Sequence, residues 1–131
     1  MANPISENLK IGTIGELLVQ LRLLEYGVQA APPLKDSGND LVALSGYEVR
    51  TVQVKTSANN IPQIRNLPDR YHLLALVCLR GDSKMLFLDK SKIYLIPQHD
   101  VEKIQSNCAG LASYLMTQEH VTNLFAPALS A

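Results

Sequence analysis

The stretch GNDLVALSGYEVRTVQVKTS, residues 38–57, carries two strands and the turn between them. Asp40 to Leu44 and Glu48 to Lys55 are strand-like runs on either side of Ser45-Gly46-Tyr47, and they read as an antiparallel hairpin. In the second run Val52 and Val54 point to one face while Thr51, Gln53 and Lys55 point to the other, so Gln53 and Lys55 lie side by side. Gly38-Asn39-Asp40 opens the first run. An acid at the start of one strand therefore lies near a polar and basic pair on its neighbour, an arrangement suited to a metal ion and a phosphate.

Upstream, Ser6-Glu7 is a helix-start signal, because the hydroxyl accepts from a free backbone N–H and the acid suits the positive end of the dipole. The helix is expected from about Glu7 to Tyr26, with Ile11, Ile14, Leu17, Leu18, Leu21 and Leu24 on one broad apolar face and Gly27 as the stop. Gly12 and Gly15 each cost about 1 kcal/mol inside a helix relative to Ala, so another backbone is expected to pack close beside Glu16. Val28 to Ala31 reads as an edge strand ended by Pro32-Pro33.

Downstream, Thr56 to Tyr71 has no periodicity and reads as a mobile surface loop with a slight basic bias. His72 to Leu79 is apolar enough for a strand buried on both faces. A turn at Gly81-Asp82-Ser83 and a second strand, Met85 to Asp89, should follow it. Ile93 to Ile96 is a last short strand closed by Pro97. From Asp100 the pattern is helical, with Val101, Ile104, Cys108 and Leu111 on one side, and a further short helix is expected from Gln118.

The chain has 131 residues, 47% of them hydrophobic, enough for one domain with one core. Twelve basic side chains balance twelve acidic ones, so any affinity for nucleic acid must come from local placement of charge. Lys103 is the last Lys or Arg, and the tail beyond it is no phosphate-binding arm. Cys78 and Cys108 lack a CxxC partner or a His at ligand spacing and read as small hydrophobes in a reducing cytosol. No run approaches the ~18 apolar residues of a membrane span, so a soluble cytoplasmic protein with no membrane partner is expected.

The order of elements and residues resembles the PD-(D/E)XK nuclease superfamily over roughly residues 7–105. Gly15-Glu16 on the first helix, Gly38-Asn39-Asp40-Leu41 at the second strand and Gln53-Val54-Lys55-Thr56-Ser57 on the third carry the likeness. The resemblance implies a single domain over 1–131, with a helical C-terminal tail. Its fold would be α/β, a restriction-endonuclease-like mixed, largely antiparallel β-sheet flanked by helices. It implies a magnesium- or manganese-dependent endonuclease acting on DNA. Glu16, Asp40 and Gln53 would stand at the metal, with Lys55 helping to generate the attacking water. Asn39 occupies the place often held by Pro, and Gln53 replaces an acid, as in the QxK pair of some homing endonucleases. The lost charge implies weaker metal affinity or one ion rather than two.

Magnesium prefers oxygen ligands, so Asp40 and Glu16 would form the charged pair, with the Val54 carbonyl and the Gln53 amide oxygen as neutral ligands. Lys55 is the natural ammonium beside a scissile phosphate. Arg50, Arg65, Arg70 and Lys35 are the candidate phosphate contacts. A homodimer or higher symmetric oligomer is expected, since two cuts need two sites. Each residue also has an ordinary reading: Gly-Asn-Asp as a turn or cap, Glu16 as a solvated helix acid, Lys55 as an edge charge. His72, His99 and His120 show no ligand spacing, and neither a serine triad, a phosphate-binding glycine loop nor an aromatic platform is present. The main alternative is a nuclease-like domain without catalysis that binds nucleic acid or serves in assembly. A third is an unrelated α/β enzyme or ligand-binding domain.

Overall fold

A computed structural model describes residues 5–35, 38–82, 85–106 and 108–127, leaving aside the side chains of residues 106, 108 and 109. Helix α1 spans Glu7–Glu25, and Ser6 caps it by accepting the Leu9 N–H at 3.2 Å. Gly27, at φ +85°, ends it in a left-handed conformation that a side chain would disfavour. Strands β1 (Gln29–Ala31), β2 (Leu41–Ser45), β3 (Glu48–Ala58), β4 (Leu73–Leu79) and β5 (Lys92–Pro97) follow in order across one five-stranded sheet. All neighbours are antiparallel except β3 and β4, which run parallel. The protein thus has the expected α/β architecture, a mixed and largely antiparallel sheet with helices against it.

The hairpin forms where the turn signal sits, with Gly46 at φ +60° and Ser45 paired to Glu48. The parallel crossover from β3 to β4, residues 59–72, contains no helix. Asn59 and Asn66 adopt positive φ within it, as short polar side chains tolerate, while Ile64, Leu67 and Tyr71 pack inward. All seven residues of β4 are buried, as a central strand covered on both faces requires.

Two cores result. On one face α1, Val52, Val54, Ala75, Val77, Leu95 and the C-terminal residues Met116, Val121 and Phe125 pack together. On the other, Leu74, Leu76 and Ile96 meet Val101 and Ile104 of helix α2 (Val101–Ser106), with Leu111 from the 3-10 turn Cys108–Tyr114. Helix α3 spans Gln118–Leu124 and is capped by Thr117, which accepts the His120 N–H.

Several expectations need correction. The buried side of α1 carries Gly15, Leu18, Val19 and Leu23, whereas Leu17, Leu21 and Leu24 are exposed. Close approach at Gly15 fixes the helix rotation, and the apolar face read from the sequence is wider than the one the sheet covers. No strand forms from Met85 to Asp89. Leu86 makes only an isolated bridge to Gly81, and the chain turns at once into a 3-10 segment, Leu88–Lys90. The Phe87 carbonyl accepts from the Lys90 and Ser91 N–H groups there. Ser83 and the side chain of Cys108 lie outside the described residues, while Cys78 is a buried free thiol.

Candidate functional site

Strand β2 begins at Leu41, which pairs with Val52. One residue earlier the ladder stops, and the Asp40 side chain takes over: its Oδ2 accepts the Val54 N–H at 2.8 Å. The N–H and C=O of one strand residue project from the same edge, so the Val54 carbonyl lies on the Asp40 side as well. Asp40 is thereby fixed by the backbone it would share with a cation.

Glu16, on α1, feels the charge of Asp40. Burial pushes its carboxyl above the usual range, and the negative charge of Asp40 raises it further. The two acids are thus within electrostatic reach of each other, with no Lys or Arg among the causes of the shift. What allows the approach is Gly15: a Cβ there would fall on Thr56 Oγ1 and 2.7 Å from Thr56 Cβ. The close packing expected of the helix glycines therefore holds at Gly15 and not at Gly12, which has nothing within 4 Å of such an atom.

Gln53 lies on the strand beside Val54 and is 8% exposed, and its Oε1 has no hydrogen-bond partner among the described residues. A buried amide oxygen without a donor loses its hydration for nothing in return, a cost of about 1–3 kcal/mol. The same is true of Asn39 Oδ1, whose Nδ2 donates to the Arg70 carbonyl at 3.5 Å. Among the described residues no three His, Cys, Asp or Glu side chains converge. The donor set is two carboxylates with neutral oxygens, a hard set that fits magnesium or manganese and not zinc. A cation between the two acids would offset the repulsion that adds to the Glu16 shift, and one within reach of β3 could satisfy the Gln53 oxygen.

Lys55 is half-buried on the same strand, and its Nζ donates to the Asn66 carbonyl at 3.5 Å, a long contact with the crossover. Asp40 thus meets the Val54 amide and lies within electrostatic reach of Glu16, whereas Gln53 and Lys55 point to the other face of β3, that of Leu74 and Leu76, and the Lys55 ammonium reaches the crossover.

Of the phosphate-contact candidates, Lys35, Arg65 and Arg70 are exposed. Arg50 is not available. Its guanidinium donates to the Leu124 and Ala126 carbonyls at 3.3 and 3.1 Å and to Glu48 at 3.1 Å, and it stands 5.9 Å over the Phe125 ring. It ties the end of α3 to the sheet. Asn39 and Thr56 are the residues that sequence reasoning passed over. Their signals were local, a polar residue before the strand acid and a Thr after the lysine, but their roles depend on contacts with residues 31 or more positions away.

No family profile matches the chain, and no curated protein does. Among solved structures it is similar to a bacterial homing endonuclease, at a TM-score of 0.48 and 22% identity, over 71% of this chain and 66% of that one. No helix among the described residues is long and apolar enough to cross a membrane.

Proposed function

We propose that this protein is a divalent-cation-dependent DNA endonuclease of the PD-(D/E)XK type. The observation that carries the reading is the Asp40 carboxylate held on the Val54 N–H within electrostatic reach of Glu16, one residue along β3 from Gln53, whose buried amide oxygen has no partner among the described residues. Asp40, Glu16, Gln53 Oε1 and the Val54 carbonyl would hold one magnesium or manganese ion. When bound, such an ion lowers the pKa of its water and draws charge from the phosphoryl oxygens.

The chain's own groups supply the rest. Asp40 is held in place by the Val54 N–H, so its second oxygen is oriented in advance. Lys55 presents an ammonium that orients the attacking water and offsets charge growing on the scissile phosphate. Its long contact to the Asn66 carbonyl is weak enough to exchange for a phosphate oxygen. Arg65, Arg70 and Lys35 would hold the DNA backbone, with Arg70 tied to the site through Asn39. The same reading places the protein in the cytoplasm as a symmetric homo-oligomer, one site for each strand of the duplex.

Purified protein is expected to nick supercoiled plasmid or cut branched DNA in magnesium or manganese. Lys55→Ala should lower the rate by about 10²-fold or more, the scale of a lost electrostatic group at the reacting centre. Full activity in that variant would remove Lys55 from the site. The neutral amide of Gln53 favours a second reading, a domain that binds nucleic acid without cutting it. That reading predicts DNA retention at low salt with no nicking under any divalent cation.

A further inference from the structure

Gln98 opens the 3-10 turn Gln98–Asp100 that follows β5, and it uses both ends of its side-chain amide on the crossover. Its Nε2 donates to the Asp69 carbonyl at 2.9 Å, and its Oε1 accepts the Tyr71 N–H at 3.4 Å. The two bonds straddle Arg70. From the segment before β2, Asn39 Nδ2 donates to the carbonyl of Arg70 itself at 3.5 Å, and a Cβ at Gly38 would stand 3.8 Å from Pro68 Cβ. Gln98 is in turn fixed, because its backbone N–H donates to the His72 carbonyl at 3.0 Å while the His72 N–H donates to the Thr51 carbonyl at 3.2 Å. Each residue from Asp69 to His72 is thereby bonded through its backbone to Asn39, Thr51 or Gln98.

The side chain mounted on this segment is a cation without a partner. Arg70 is exposed, and its guanidinium joins no ion pair or hydrogen bond among the described residues. Arg22, Arg50 and Arg80, by contrast, donate to carbonyls within the chain. A guanidinium on an unfixed loop binds an anion only at the cost of ordering that loop; a backbone already bonded at four successive residues avoids the cost. Asp69, of opposite charge, stands exposed next to Arg70, so the setting of the backbone decides which of the two meets a phosphate.

We propose that Gln98 is a positioning residue: together with Asn39 it holds Arg70 as a prearranged contact for one DNA phosphate. Because Asn39 adjoins Asp40, that contact lies beside the proposed cation site. The proposal rests on the reading of the chain as a DNA-binding nuclease, and adds to it a residue that touches neither DNA nor metal.

Fluorescence anisotropy of a labelled DNA duplex, titrated at several salt concentrations with a chelator present, tests it apart from cleavage and cation binding. The slope of log affinity against log salt counts phosphate contacts, at about 0.9 for each. Arg70→Ala should weaken binding at low salt about tenfold, the scale of one charge-assisted hydrogen bond, and reduce the slope by about 0.9. Gln98→Ala should reduce the slope by a similar amount although it removes no charge. Gln98→Ala combined with Arg70→Ala should lose no more than Arg70→Ala alone. Gln98→Met, which keeps the length of the side chain but not its bonds, should behave like Gln98→Ala, and far-UV circular dichroism verifies that each variant is folded. A Gln98 with only a structural role would lower the melting temperature and leave the slope as it was. That result, or additive losses in the double variant, overturns the proposal while DNA binding stands. Failure of the unaltered protein to bind the duplex at low salt overturns the nuclease reading and the proposal together.

Discussion

Glu16 is a carboxyl that the fold holds at a disadvantage when it is charged. Its pKa is raised by burial and by Asp40, so the folded chain holds its proton to higher pH than the unfolded chain does. Stability should therefore fall as pH rises from the ordinary carboxylate value through the raised one, and Glu16→Gln should flatten that slope in thermal melts. A divalent cation acts in the opposite sense at neutral pH, raising the melting temperature of the unaltered protein and not of the variant. Arg50 makes a different prediction. Arg50→Ala removes charged hydrogen bonds to the end of α3 and a cation over Phe125, and should cost about 2 kcal/mol. It should leave the salt dependence of the proposed DNA binding unchanged, since the group is taken up by contacts within the chain. The sequence reveals which residues of β3 share a face, because alternation is local. It does not reveal that Arg50 is occupied, because Leu124 lies 74 positions away.

At the scale of elements, two glycines in α1 separate local propensity from tertiary contact. Gly15→Ala drives a methyl into Thr56 and should destabilise by about 2 kcal/mol while weakening manganese binding, since α1 carries Glu16 away with it. Adding Thr56→Gly should recover part of both losses. Gly12→Ala meets nothing and should stabilise by about 0.5–1 kcal/mol, the difference in helix propensity. Chemical denaturation of these variants measures both effects. The hairpin, β4 and the start and stop of α1 were legible because turn chemistry, a continuous apolar run and capping residues are local signals. The segment after Gly81 was not, because Met85 and Leu86 look like a strand while the turn at Phe87 to Ser91 leaves them a single bridge, Leu86 to Gly81. The orientation of α1 was misread for a related reason. Its apolar residues nearly encircle it, and the close Gly15–Thr56 approach, with Leu18, Val19 and Leu23 in the core, marks the side that faces the sheet.

In the whole molecule Asp40 stands where β2 and β3 part, held by the Val54 N–H, and α1 carries Glu16 within its electrostatic reach. With a net charge of zero, the proposed grip on DNA would have to come from the few exposed cations around residues 35 and 65–70 and from an ion at the acids. The candidate residues could be chosen from the sequence because they fall at a strand start, on a strand face and beside a helix glycine. That Glu16 meets Asp40 depends on helix docking, which no local pattern encodes. The central claim is that Glu16, Asp40, Val54 and Gln53 form one cation site. Calorimetric titration with manganese tests it most directly: the account predicts one ion per chain, with the binding lost in Asp40→Asn. Binding of unchanged strength and stoichiometry in Asp40→Asn would contradict it.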